Sequence, residues 1–172
     1  MTTHRFFKVV RPAFGLLLIV TCAAATMAGG FELRAEAPQA GTAYSDAALI
    51  VRAFGCHQPS RAKVTGTAEG LVEGERRSVP LTMKSVDKGV WAVEAQWPAE
   101  GTWVLAFSGT YRNQFSSVLV EVGADGNVAM QKNGHKPQAQ ILHRKLSTRD
   151  VESALERTAH HQAAPSRKAK TR

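Results

Sequence analysis

The neighbouring residues Cys56 and His57 are the pair in this chain whose types are best suited to chemistry. A thiolate beside an imidazole suits soft or borderline metals, so the pair is a candidate metal site for copper or zinc. Two adjacent side chains rarely complete such a site. Further ligands could come from four other residues, at no spacing that singles them out: Met83, Met130, His135 and His143. The alternative is that Cys56 is a small apolar side chain in a structural loop.

Nucleophilic catalysis by this pair requires the imidazole to reach the sulfur and a third group to orient the ring. Neighbouring side chains on an extended strand point in opposite directions, which is the wrong arrangement. The sequence also contains no Gly-x-Ser-x-Gly elbow, no Walker loop and no His-Glu-x-x-His motif. We therefore expect a protein that is not an enzyme and has no catalytic residue.

Residues 1–28 have the three parts of a secretory signal peptide. Basic residues come first, an uncharged apolar run follows, and small residues precede a cleavage point after Ala28 or Ala25. We expect cleavage and an extracytoplasmic protein, either periplasmic or secreted. One alternative is an uncleaved N-terminal membrane anchor, because residues 12–31 carry no charge and nearly match the length of a membrane span. Another is a lipoprotein acylated at Cys22, although the residues before it fit that motif poorly.

Removal of the signal takes Cys22 with it and leaves Cys56 without a disulfide partner in the chain. An exported domain that relies on internal disulfides needs an even number of cysteines. The body must therefore be stabilised by packing. Cys56 is then a buried thiol, a metal or redox ligand, or one half of an intermolecular bridge.

The net charge of +8 is unevenly distributed along the chain. Residues 29–131 hold nine Lys and Arg against eleven Asp and Glu, whereas residues 132–172 hold ten against three. The basic character therefore belongs to the signal and to the C-terminal segment rather than to the body.

The last four cations are the candidate surface-binding residues: Arg167, Lys168, Lys170 and Arg172. Such a cluster attracts anionic lipid or an anionic cell-surface polymer. Nucleic acid is not an expected partner, because no aromatic residue stands among the cations to stack on bases and because export separates the chain from it. The alternative is a solvated tail that binds nothing specific.

Apolar side chains in the body recur with a period of two, which is typical of β-strands. Along residues 90–97 one face collects Trp91, Val93, Ala95 and Trp97. Residues 98–101 have the composition of a turn, and residues 102–107 alternate again. The pattern predicts that these two strands form a β-hairpin. The tryptophans are interpreted as core residues rather than as a platform for a ligand.

Six further strands follow from the same alternation and from the turn residues between them: 31–37, 48–54, 63–72, 77–83, 116–122 and 128–131. Asp125-Gly126-Asn127 is a strong turn signal, and Glu73 and Glu75 are interpreted as the exposed tip of another hairpin. Seven or eight short strands are typical of an immunoglobulin-like antiparallel β-sandwich, which we assign to residues 29–131.

The composition changes after residue 131 and predicts three segments. Residues 132–146 are expected to be a linker, residues 147–159 a helix, and residues 160–172 a disordered basic tail. Ser147 and Asp150 have the spacing of a capping box. The helix carries a narrow stripe, formed by Val151, Ala154, Leu155 and Thr158. So short a helix is marginal alone, so the stripe must rest on the sandwich or on a partner.

A glycine two positions before an aromatic residue (Gly89-Val90-Trp91) begins one strand, and a Pro-x-x-Gly-x-Trp turn (residues 98–103) leads into another. With residues 48–51 and 67–70, these features make the segment 47–107 resemble small extracytoplasmic immunoglobulin-type domains of the YtkA-like and FixH-like kind. The resemblance implies a β-sandwich outside the cytoplasm. Some members are associated with copper handling, but this sequence lacks the clear Met- and His-rich motifs that such a role implies.

These features predict an exported, non-enzymatic β-sandwich protein with a binding or scaffolding role in the cell envelope. Its expected partner is an envelope protein or an anionic polymer or lipid, and the chain itself enters a membrane only if the signal stays uncleaved. No resident cofactor is expected. The alternative function is the handling of copper or zinc by Cys56 and His57.

Overall fold

Period-two alternation produces strands with one apolar face each, and two sheets of such strands stack face to face in the computed structural model of the chain. The structure describes residues 30–132 and 134–163. The predicted signal peptide and the four candidate surface-binding cations lie outside the described residues. The predicted antiparallel β-sandwich is confirmed, with one helix at the C-terminal end of the described chain.

The described residues form nine strands and one α-helix. In chain order these are β1 (Glu32–Glu36), β2 (Leu49–Phe54), β3 (Lys63–Val72), β4 (Glu75–Pro80), β5 (Met83–Asp87), β6 (Val90–Val93), β7 (Thr102–Tyr111), β8 (Gln114–Glu121), β9 (Ala139–Leu142) and α1 (Thr148–Ala163). A short 3-10 turn, Pro59–Arg61, lies between β2 and β3. One sheet has the strand order β1-β2-β6-β5, and the other has the order β4-β3-β7-β8-β9.

The core lies between the two sheets. Its residues with no exposed surface are Leu33, Leu49, Val51 and Val93 from the four-stranded sheet, and Ala68, Trp103, Leu105, Phe107, Val118 and Val120 from the five-stranded sheet. The sequence alternation of β7 and β8 predicted these inward faces correctly. Burial of this apolar surface is the main stabilising contribution, because the described residues contain no disulfide and Cys56 is a free thiol.

The predicted hairpin of residues 90–97 and 102–107 is wrong. Strand β6 pairs with β2 and β5, whereas β7 pairs with β3 and β8 in the other sheet. The intervening residues 94–101 cross from one sheet to the other, and the buried Trp97 fixes the crossing by donating from Nε1 to the Gly126 carbonyl at 2.9 Å. Alternation shows which side chains face the core, but not which strand is the neighbour.

The strand predicted over residues 77–83 is divided between the two sheets. Strand β4 ends at Pro80, which has no N–H to continue the ladder. The Leu81 N–H donates to the Gly66 carbonyl at 2.9 Å, and β5 then begins at Met83 in the opposite sheet. This division is one reason why the structure has nine strands rather than seven or eight.

The C-terminal boundaries also differ from the predicted ones. The expected linker contains β9, which extends the five-stranded sheet by pairing with β8. The turn at residues 125–127 forms as predicted, but the strand expected at 128–131 is reduced to two isolated bridges, Val122 with Val128 and Met130 with Pro137. Helix α1 continues to Ala163, so residues 160–163 are helical rather than part of a tail.

The start of α1 follows the predicted capping box. The Asp150 N–H donates to Ser147 Oγ at 3.3 Å, and the Ser147 N–H donates to Asp150 Oδ2 at 2.9 Å. Two bonds of 2.6 Å from the Arg144 guanidinium also reach Asp150. These partners, with the arginine first, hold the pKa of the Asp150 carboxyl below its usual range.

The predicted stripe of α1 lies against the sandwich. Val151, Ala154 and Leu155 pack on the outer face of the five-stranded sheet, where Val104, Ala106 and Leu119 complete a second apolar cluster. Because β7 and β8 are apolar on both faces, their outer face needs this cover.

Candidate functional site

Cys56 and His57 lie in the loop between β2 and the 3-10 turn, at one end of the sandwich. Gly55 has a φ of 70°, which turns the chain away from the strand. The Cys56 side chain is half-buried against the core, whereas His57 is exposed. Burial raises the pKa of the Cys56 thiol, so the thiolate that a soft metal would bind is disfavoured there.

The other candidate metal ligands are spread over the molecule. Met83 begins β5 at the end of its sheet opposite to Cys56, because it pairs with Val93, which in turn pairs with Leu49 at the start of β2. Met130 lies in the connection between β8 and β9, as does His135. His143 follows β9, where its Nε2 lies 3.8 Å from a carboxylate oxygen of Glu32.

Within residues 30–132 and 134–163, no group of three or more His, Cys, Asp or Glu side chains is arranged to hold a metal ion. The copper or zinc site at Cys56 and His57 stays a prediction. Metal titration of the protein, with Cys56→Ser as the control, tests it directly.

The three tryptophans pack with the core cluster. Trp103 is fully buried, and its Nε1 donates to the Glu100 carbonyl at 2.7 Å. Trp97 is also buried, and Trp91 is half-buried against the same cluster. This arrangement matches the interpretation of the tryptophans as core residues.

The last turns of α1 are fixed to the sandwich by polar contacts that the sequence did not indicate. The Gln162 amide donates to the Val122 carbonyl at 3.1 Å and accepts from the Thr102 hydroxyl at 2.9 Å. His161 Nδ1 lies 2.7 Å from a carboxylate oxygen of Glu121. These contacts hold the helix at the end of the sheet where β7 begins and β8 finishes, directly before the basic segment.

Glu121 is a buried carboxylate on the outer face of β8, with 7% of its surface exposed. A buried charge is costly unless it is paired, and α1 supplies the partners: His161, and Arg157 with its Nε 3.8 Å from the carboxylate. The only sequence signal for this role is a carboxylate at the end of an otherwise uncharged strand. Its helix partners lie 36 and 40 positions later, too far apart for local pattern analysis to connect.

Three turns meet at the end of the sandwich where α1 finishes. A Cβ added at Gly101 would lie 2.6 Å from the Leu71 carbonyl oxygen, and one added at Gly126 would lie 3.1 Å from Ala99 Cα. The turns contribute four carboxylates: Glu73, Glu75, Glu100 and Asp125. Of these four, Glu75 pairs with Arg77 of the same hairpin at 3.9 Å.

Comparison with known proteins gives no relative: no protein-family model, curated protein or solved structure matches the chain. The resemblance of residues 47–107 to YtkA-like and FixH-like domains stays a prediction. Among the described residues, no helix is long and apolar enough to cross a membrane.

Proposed function

We propose that this chain is an exported, non-enzymatic β-sandwich protein that binds or scaffolds in the cell envelope. Its contact is made by the basic segment after α1, with an anionic lipid or cell-surface polymer as the partner. The observation that supports the proposal is the attachment of α1, which holds Gln162 at one fixed end of the sandwich. The chain therefore enters the basic segment from a defined point on the sandwich.

The attachment combines apolar and polar contacts along the helix. The first half of α1 buries Val151, Ala154 and Leu155 on the sheet, and the last turns bond to Glu121 and Thr102. A helix that served only as a spacer would not need partners along its whole length. This arrangement suits a helix that attaches a binding segment to the sandwich at a fixed position.

The charge distribution indicates that the partner is negatively charged. Residues 29–163 hold 15 Lys and Arg against 14 Asp and Glu, whereas residues 164–172 hold four and none. Nearly all of the net positive charge of the exported protein therefore lies in its last nine residues. Each Lys or Arg near an anionic membrane surface contributes roughly 1 kcal/mol, so four contribute up to about 4 kcal/mol, or roughly a thousandfold in affinity.

The test compares the exported protein with a variant in which Arg167, Lys168, Lys170 and Arg172 are all replaced by Ser. Sedimentation with vesicles of phosphatidylglycerol and of phosphatidylcholine measures binding at low and high salt. We expect binding to the anionic vesicles alone, weakened by salt and lost in the variant, because screening and charge removal act on the same attraction. Equal, salt-insensitive binding by both proteins would contradict the proposal.

The extracytoplasmic location is tested separately by cell fractionation and by sequencing the N-terminus of the recovered protein. We expect a start at Gly29 or Thr26. Recovery from the cytosol with residues 1–28 still attached would refute the export part of the proposal.

A further inference from the structure

A cleft of about 770 Å³ opens on one side of the sandwich, between strands β1 and β9. Each of these strands is the last one of its sheet, so each has one edge without a neighbouring strand. At one end of this side His143, which follows β9, reaches across to β1, where its Nε2 lies 3.8 Å from a carboxylate oxygen of Glu32. Further along the two strands the cleft is open.

The hydrogen-bond pattern shows which backbone groups of β1 face the cleft. The Ala53 N–H donates to the Gly89 carbonyl and therefore points away from β1. Because backbone groups alternate in direction along a strand, the groups of β2 that bond to β1 belong to the residues on either side of Ala53. The N–H groups of Phe31 and Leu33 point away from β2 and are satisfied by two side chains of β8, Gln114 and Ser116. The next amide in this row belongs to Ala35, which lines the cleft.

The same reasoning applies to β9. The Glu121 N–H donates to the Gln138 carbonyl at 3.0 Å. The backbone N–H and C=O groups of the even-numbered residues of β9 therefore point toward β8. The N–H and C=O groups of Ala139 and Ile141 therefore point away from β8. Both residues line the cleft.

The side chains nearest the outer edge of β9 are small or apolar, whereas charged and polar side chains line the rest of the cleft. Ile141 pairs with the fully buried Val118 and so lies on the core-facing side of its sheet, yet it is 38% exposed. Ala35 and Ala139 leave room around it. The wall carries two acidic residues, Glu32 and Glu36, which pair with Arg34 and Arg52. Two basic residues, Arg34 and Lys136, also line it, so its formal charges balance and it does not select for a charged ligand.

The other sheet edges carry features that prevent pairing with foreign strands. Strand β4 has three charged residues and ends in Pro80, and β5 contains Lys84 and Asp87. Charges and proline are the usual means by which an edge is protected. Strand β9, with the sequence Ala-Gln-Ile-Leu, has neither.

We propose that this cleft binds an extended, uncharged peptide segment of another protein, which adds a strand to β9 and places an apolar side chain against Ile141 and Ala35. Open backbone groups along a strand edge are satisfied in register by another extended backbone. The cleft does not involve the residues after Ala163, so this proposal and the one for the basic segment stand or fall independently.

The probe is a phage-displayed library of random heptapeptides, selected on the exported protein. The best peptide is then synthesised, and its binding is measured by fluorescence anisotropy against two variants, Ile141→Asp and Leu71→Asp. These residues are matched because each is 38% exposed in the wild type, but Leu71 lies on β3, away from the cleft. We expect at least about a tenfold loss with Ile141→Asp and no more than about a twofold change with Leu71→Asp.

A second measurement uses only the wild-type protein, so it does not depend on how a variant folds. Each backbone amide of the peptide is N-methylated in turn. Strand addition predicts that methylation at alternate positions abolishes binding and that the positions between tolerate it. Three outcomes would overturn the proposal: no selected peptide, equal tolerance at all amides, or self-association that Ile141→Asp removes, which would make a second copy of the chain the occupant.

Discussion

Gly70 on β3 is a position where a single methyl group should disturb the core. It stands directly opposite Trp103 in the β3–β7 ladder, and a Cβ added there would lie 2.4 Å from Cε3 of the indole. Ordinary contacts are about 1 Å longer, so the ring or the strand would have to move by roughly that amount. The ring has little freedom, because it is fully buried and its Nε1 bonds to the Glu100 carbonyl.

The expected cost of Gly70→Ala follows from two opposing effects. Overpacking a core costs about 1–3 kcal/mol. Alanine restricts the unfolded chain more than glycine does, which offsets about 0.4–1 kcal/mol. We therefore expect the free energy of unfolding to fall by about 1–2 kcal/mol. The matched control is Gly30→Ala, where an added Cβ meets nothing within 4 Å, and there we expect a change within about 0.5 kcal/mol.

The assay is urea unfolding followed by far-ultraviolet circular dichroism, since tryptophan fluorescence would itself respond to a displaced indole. A double-mutant cycle with Trp103→Phe isolates the contact, because the smaller ring gives the new methyl group space. We expect a favourable coupling of at least about 0.5 kcal/mol. Equal effects of Gly70→Ala and Gly30→Ala, or strict additivity in the cycle, would refute the steric argument.

Three further predictions use the same unfolding assay or simple chemistry. The Tyr111 hydroxyl is the one buried side-chain polar atom without a hydrogen-bond partner among the described residues, so Tyr111→Phe should raise the free energy of unfolding by about 1 kcal/mol; a loss would mean that the hydroxyl has a partner. Leu155→Ala should cost about 2–5 kcal/mol by opening a cavity under α1, whereas the exposed Ser153→Ala should be nearly neutral; equal effects would contradict the docking of the helix. Burial raises the pKa of the Cys56 thiol, so alkylation by iodoacetamide at neutral pH should be slower than for free cysteine and should accelerate only at a more alkaline pH.

Acid should weaken the start of α1. Because its partners lower the pKa of Asp150, the contribution of this carboxylate is fully present above the pKa that it has in the unfolded chain. It is lost progressively as the pH falls from that value through the lower pKa of the folded state. Asp150→Asn should therefore lower the free energy of unfolding at neutral pH and have a smaller effect in acid. An effect of the same size at both pH values would show that the charge is not what stabilises the helix start.

The sequence predicted local features well, because they depend on neighbouring residues. The alternation of Trp103, Leu105 and Phe107 defines a face at any strand position, and the capping box of Ser147 needs only Asp150. The hairpin prediction failed because pairing depends on residues far away in the chain. One neighbour of strand β7 is β3, which lies about forty positions earlier in the chain. No local pattern in either strand indicates this pairing.

The same contrast between local and long-range features applies to the candidate sites. Cys56 and His57 were found because their types are conspicuous, although nothing nearby completes a metal site in the described residues. The polar attachment of α1 was missed, because Glu121 and His161 are 40 positions apart and each is unremarkable by itself. The cleft was missed for a further reason. It depends on which strands end the sheets, and that is known only when the topology is known.

The topology also explains why the two sheets are connected differently on the two sides of the sandwich. On one side the chain itself crosses between the sheets from Pro80 to Met83, so the end strands β4 and β5 are joined by covalent bonds. On the other side β1 and β9 are far apart in sequence, and side chains such as Ser116 and His143 bridge part of the gap. The sandwich is therefore closed by the chain itself on one side and by a few side chains on the other. On that second side, β9 is the end strand that carries neither a charge nor a proline, so its edge is the least protected against an incoming strand.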